Sequence, residues 1–202
     1  MSKPSDLHPA LTDYRLRIVG QLIRDARHKA VLRHDTSIGD NAWVLGVSGF
    51  NCCCYAIASA VERYKEWLSV IEDGLHFVFA IGGVPLRFYR GEPDDAPKRT
   101  LARNFPEVQA HQIALLFPDQ ETPKHDALRF AVETDEFGEV SQVTLVQVDV
   151  ALNPVGEGWV ILAQEETGKV AQFPSREEGK DLGPPNVDSQ QKPEEKHDPR
   201  KK

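Results

Sequence analysis

The chain has 202 residues, 40% of them hydrophobic, and a formal net charge of −7. That length and apolar content suit one domain with a buried core, and an acidic body is a poor non-specific binder of nucleic acid. No uninterrupted run of eighteen apolar residues occurs, and the N-terminus lacks the apolar centre of a secretory signal, so no membrane span or export signal is expected.

The charge is uneven. Residues 1–33 hold seven Lys/Arg against three Asp/Glu, residues 91–173 hold six against fifteen, and the last 29 residues hold seven of each. The arginines Arg17, Arg24 and Arg27 of the basic start therefore have two destinations, the acidic half of their own chain or an acidic partner. Cys52, Cys53 and Cys54 are contiguous and have no fourth cysteine to pair with. A reducing compartment, the cytoplasm, is expected.

In chain order, residues 1–10 with Pro4 and Pro9 read as an irregular lead-in. From Thr12 to about Arg33, Ile18, Val19, Leu22, Ile23, Ala26 and Ala30 share one helical face, and Thr12 is the expected N-cap. HDTSIGD turns the chain, with Ser37 or Asp40 opening the next helix. From Ala42 to about Leu68, Trp43, Val47, Phe50, Cys54, Ile57, Val61, Tyr64 and Leu68 recur at alternating steps of four and three, which places them on one helix face. Beside them runs a small stripe: Ala42, Gly46, Gly49, Cys53, Ala56 and Ala60. The bulky stripe is expected in the core, and the small one against the first helix in an antiparallel helical hairpin. The rhythm continues through Ile71, so the helix is expected to end between residues 66 and 72, before Gly74. The other reading makes Trp67–Glu72 a strand.

Leu75–Ile81, Gly82-Gly83 and Val84–Arg90 read as a β-hairpin, because a type I′ turn needs φ > 0 at both central residues. Pairing Ile81 with Val84 puts Phe79 opposite Leu86 and Phe77 opposite Phe88, and Pro85 marks an edge or a ladder's end. Phe105–Phe117 reads as a helix with Pro106 in its first turn. Leu128, Phe130 and Val132 alternate, DEFGE turns, and Val143 and Leu145 alternate back. Asn153–Gly156 turns again before a strand at Gly158–Ala163, with Lys169–Phe173 a short last one. Residues 174–202 carry too little apolar surface to offset their ordering entropy and are expected to be disordered. The expected fold is α+β: two N-terminal helices, the second long, packed on a mostly antiparallel sheet of five to six strands within residues 1–173.

Chemistry-bearing motifs are few. Consecutive cysteines on a helix point about 100° apart and cannot converge on one metal. Cys53 and Cys54 suit packing, and Cys52 alone faces the polar side. Leu45-Gly46-Val47-Ser48-Gly49 lacks both the spacing and the preceding strand of a nucleophile elbow. The histidines show no metal spacing, and His111, Asp119, His125 and Asp126 could meet only through loops, so no metal and no cofactor is expected. The strongest polar set is His76, Arg87, Tyr89 and Arg90 on the first hairpin. His76 and Tyr89 would be cross-strand neighbours, beside a guanidinium suited to phosphate or carboxylate.

Arg90 at a strand end and Gln164-Glu165-Glu166 after a later strand resemble the Arg and Gln-x-Glu elements of ADP-ribosyltransferases. That family's Ser-Thr-Ser strand has no counterpart in Ser141-Gln142-Val143-Thr144, and the resemblance implies no assignment.

The expected function is that of a small cytoplasmic, non-catalytic binding or regulatory protein acting by docking a partner. Arg17, Arg24 and Arg27 are its candidate partner-binding residues. A protein partner is expected, self-association through the helices being one form of it; nucleic acid is disfavoured and a membrane is not expected. The alternative is an enzyme acting on a phosphorylated or nucleotide-like substrate at the 75–90 hairpin.

Overall fold

The computed structural model describes residues 3–96, 98–105, 107–109, 127–149 and 151–163. A short helix α1 (Pro4–Leu7) leads into α2 (Asp13–Leu32), a 3-10 turn at Thr36–Ile38 and α3 (Ala42–Tyr64). Six strands follow: β1 (Leu68–Glu72), β2 (Val78–Ile81), β3 (Val84–Arg90), β4 (Ala127–Thr134), β5 (Val140–Val148) and β6 (Pro154–Ala163), with helix α4 (Lys98–Leu101) between β3 and β4. They form one mixed sheet in chain order, antiparallel at every pairing except β3 with β4. The fold class is α+β. A parallel pair needs a crossover of a dozen residues or more, and 91–126 is long enough.

Local chemistry sets most boundaries. Thr12 Oγ1 accepts the Arg15 N–H at 3.4 Å and opens α2. The long helix opens later than either expected cap, one residue after Asp40 and four after Ser37: Asn41 Oδ1 accepts the N–H groups of Trp43 and Val44 at 3.0 and 3.1 Å. Gly82 and Gly83, at φ 57 and 85°, make the tight turn between β2 and β3. Phe79 pairs with Leu86 and Ile81 with Val84, as the turn chemistry requires. Pro85 sits in an interior strand, and the ladder from β3 to β4 begins one residue after it, at Leu86.

Alternation along the strands separates two buried faces. Leu86, Leu128, Phe130, Val143 and Leu145 join Leu16, Val19 and Ile23 of α2 and Cys53 and Ile57 of α3 in the main core. Each fully buried Leu, Ile or Phe contributes about 1.5–3 kcal/mol there. The intervening positions Tyr89, Ala127, Ala131, Val146 and Val148 form a second cluster with Leu101 of α4. The sheet is thus covered on both sides, and β2 is buried at all four positions.

Three expectations are corrected. The long helix stops at Tyr64, before the expected range, and Leu68–Glu72 is strand β1. Leu68 and Val70 pair with Ile81 and Phe79, the Trp67 carbonyl accepts the Gly82 N–H at 2.6 Å, and strand pairing overrides a helical rhythm that continued by coincidence. The bulky stripe is core only from its middle onward, since Trp43 and Val47 are exposed. At about 1.5 Å per residue the 23-residue helix is some 35 Å long, and its first turns carry this stripe clear of the core. The last turn lies at Asp149–Asn153, where the Asp149 carboxylate accepts the Asn153 N–H at 2.9 Å, so β6 already begins at Pro154. Residues 105 and 107–109 are helical. The rest of the expected 105–117 helix, the Lys169–Phe173 strand and the 174–202 tail lie outside the described residues.

Candidate functional site

The polar set of the first hairpin divides between different environments. Arg87 and Tyr89 lie on the face away from α2 and α3, whereas Arg90 is exposed at the end of β3. Arg87 Nη1 donates to the Ala102 carbonyl at 3.3 Å and stands 3.6 Å from Glu107 Oε2. The Tyr89 hydroxyl donates to the Glu92 and Pro93 carbonyls at 3.0 and 3.4 Å, and burial, reinforced by Asp94 and Glu133, pushes its pKa up to about 12. His76 is exposed beyond the start of β2, and its carbonyl accepts a bond from Asn104 Nδ2 at 3.1 Å. Arg87 and Tyr89 thus hold the 92–107 segment onto the sheet.

The centre of that face is a residue the sequence reading passed over. Arg129 has no exposed surface and lies between Leu128 and Phe130, at the alternate position of β4. Its guanidinium donates to Glu107 Oε1 at 2.6 Å and Oε2 at 3.1 Å, and to the carbonyls of Thr100, Leu101, Ala102 and Leu128. Burial pulls the Arg129 pKa down and the Glu107 charge opposes that. Glu107 also accepts the Asn104 N–H while Asn104 Oδ1 accepts the Glu107 N–H, a reciprocal cap on the helical turn that follows. With its donors engaged, Arg129 holds structure in place and offers no hand to a ligand. The fully apolar run Val78–Ile81 was the sequence signal that both faces would be covered.

The arginines of the first helix also separate. Arg17 is exposed and pairs with Asp13 at 2.8 Å. Arg24 donates to the Ala163 carbonyl at 3.3 Å, and both line a polar cleft of about 940 Å³ between α2 and β6 that also holds His28 and Glu139. Arg27 is only 4% exposed, its Nε donating to the Gly138 carbonyl at 2.8 Å. Burial lowers its pKa, and Arg90 nearby lowers it further.

What stands open is the outer side of α2 and α3. Between them runs a cleft of about 1190 Å³ whose lining includes Ala26, Ala30, Ala56, Ala60, Cys52 and Tyr55. Tyr55, 76% exposed, and Leu32 line it, while Trp43 at 74%, Ile38 and Val47 are exposed outside its lining. Among the described residues one helix, α3, is long and apolar enough by length and composition to cross a membrane: its most apolar 18-residue window has mean hydropathy 1.6 and is only 22% buried. The criterion of uninterrupted apolar residues missed this because Ser48 and Asn51 break the run without lowering the average far. Tyr55, on neither stripe, was the sequence sign of a second apolar face.

The cysteines follow their helix faces. Cys53 is buried with its thiol 3.6 Å from the Ile23 carbonyl, and burial raises the pKa of both Cys53 and Cys54 to about 12. Cys52 faces the cleft and accepts a bond from Arg33 Nη2 at 2.8 Å. Among the described residues no three His, Cys, Asp or Glu side chains gather as a metal site, and His111, Asp119, His125 and Asp126 lie outside them.

No protein-family model, curated protein or solved structure matches the chain.

Proposed function

We propose that the protein is a small, non-catalytic binding or regulatory protein of the cytoplasm that docks a protein partner on the outer face of its two long helices. One observation carries this reading: α3 is an apolar helix whose most apolar stretch is only 22% buried, beside an open cleft. Apolar helix surface left open in this way costs solubility unless something covers it, and the usual cover is another macromolecule. The polar residues support the same reading, since Arg87, Tyr89 and Arg129 are spent on holding the chain's own carbonyls and Glu107. The test is a hydrophobic dye that brightens in apolar clefts, titrated into the parent and into Tyr55→Glu. Bright binding by the parent, lost in a variant of unchanged melting temperature, is the expected result. A parent that leaves the dye dark has no accessible apolar face, and the docking reading falls.

A further inference from the structure

We propose that Arg27 and Arg90 together bind a phosphate group, at the end of the sheet beneath the first turns of α3; this goes beyond the docking reading and does not rest on it.

The first observation is a buried cation with no anion of its own. Arg27 is 4% exposed, yet only its Nε has an acceptor, the Gly138 carbonyl. Nη2 is buried without a hydrogen-bond partner, and among the described residues no carboxylate stands within ion-pair distance of the guanidinium. The carboxylate whose charge does reach it, Glu139, is bonded to His28 Nδ1 at 2.7 Å. Charges taken out of water are ordinarily paired. Arg129 shows the ordinary case, with Glu107 on two of its nitrogens and four carbonyls besides. Arg27 departs from it, and an unsatisfied buried donor of this kind calls for an anion.

The second observation is a neighbour of the same sign. Arg90 pairs with Val132 in parallel register, and Val132 belongs to the main core, so Arg90 stands on the α2 and α3 side of the sheet. It is exposed as the last residue of β3, and its guanidinium has neither an acceptor nor a carboxylate among the described residues. The turn that follows β4 brings Gly138, and with it Arg27, to the same end. The two charges act on each other, since Arg90 helps to lower the Arg27 pKa. An anion between them turns that repulsion into two attractions.

The third observation is access. Gly49 lies against Arg27 Nη1, and Gly46, three residues earlier on the same small stripe, has open space where a side chain would begin. Trp43 and Val47 on this overhang are exposed as well. Charge then selects the ligand. Two guanidiniums carry +2, a phosphate group bears about −1.5 to −2 at neutral pH, and its oxygens take the paired N–H donors of arginine. A single carboxylate would neutralise only half of that charge.

The experiment is a calorimetric titration of the full chain, with thermal melts, at an ionic strength held constant by sodium chloride. The titrants are inorganic phosphate, phenyl phosphate and acetate. Inorganic phosphate is expected to bind with a Kd below about 1 mM, and at about 10 mM to raise the melting temperature by a few degrees. Acetate should bind at least about tenfold more weakly. Arg90→Gln should melt like the parent without phosphate and lose at least about tenfold in affinity. Lys65→Gln, just beyond the other end of α3, should bind as the parent does. Tighter binding of phenyl phosphate supports the site and makes its ligand a phosphorylated organic molecule; equal or weaker binding supports free phosphate. No heat and no shift with either phosphate overturns the proposal, as does an equal response to acetate, which is a general charge effect. Binding that survives Arg90→Gln lies elsewhere and overturns it too. A parent that fails here and still binds the dye through Tyr55 leaves docking standing.

Discussion

Gly49 of α3 lies directly against the guanidinium of Arg27 on α2: a Cβ at position 49 would fall 2.5 Å from Arg27 Nη1. The absence of a side chain there lets the arginine pass under α3 and reach the Gly138 carbonyl in the β4–β5 turn. One small residue thereby ties the helix layer to the sheet.

Gly49→Ala should accordingly push Arg27 aside and weaken its bond to Gly138. The guanidinium is the movable end of a long side chain and Ala gains about 0.5–1 kcal/mol over Gly inside a helix, so the net change in stability is expected to stay within about 1 kcal/mol. A loss of many degrees in melting temperature would show that Arg27 cannot move aside.

Arg17 and Arg27 share a helix and should respond oppositely to charge reversal. Arg17→Glu breaks one exposed pair with Asp13 and should change stability by less than about 1 kcal/mol. Arg27→Glu puts a carboxylate into a buried position in sight of Glu139, and should cost about 3 kcal/mol or more. Urea unfolding of the two variants side by side checks the contrast. Equal midpoints would place Arg27 in water.

The Arg129–Glu107 pair supports a third prediction. Arg129→Met leaves a buried carboxylate and several carbonyls without donors, and should cost about 3–5 kcal/mol. Adding Glu107→Leu removes the stranded charge and should recover part of the loss. The carbonyls of Leu101 and Ala102 still lack their donor, so recovery stays incomplete. Chemical denaturation of the single and double variants measures the coupling; strictly additive effects would contradict it.

Alkaline pH should unfold the protein early. Cys53, Cys54 and Tyr89 all have folded pKa values raised to about 12, chiefly by burial. The folded state favours their protonated forms, so this stability is complete below the ordinary values of 9.0 for Cys and 10.0 for Tyr. It is lost as pH rises from there through about 12, by an amount on the order of a few kcal/mol for the three together. Melting temperature should fall steeply above pH 9, and Tyr89→Phe should flatten the upper part of that fall. A flat profile to pH 11 would mean that these groups are hydrated in the folded state.

Local chemistry made several elements legible in the residues alone. Thr12 caps a helix because its hydroxyl meets a free N–H, and Gly82-Gly83 turns because both positions need φ > 0. Alternation at Leu128, Phe130 and Val132 identified a strand and its core face. Partners distant in sequence decided the rest. Leu68–Glu72 carries a helical rhythm, and only pairing with Val78–Ile81 makes it a strand. Arg129 reads as an outward residue until α4 and Glu107 cover that face. Trp43 and Tyr55 belong to an apolar helix whatever surrounds it, but whether such side chains are core or surface depends on what packs over them. Period and cap report a residue's own helix or strand; the second layer is set by contacts across tens of residues, which no local pattern encodes.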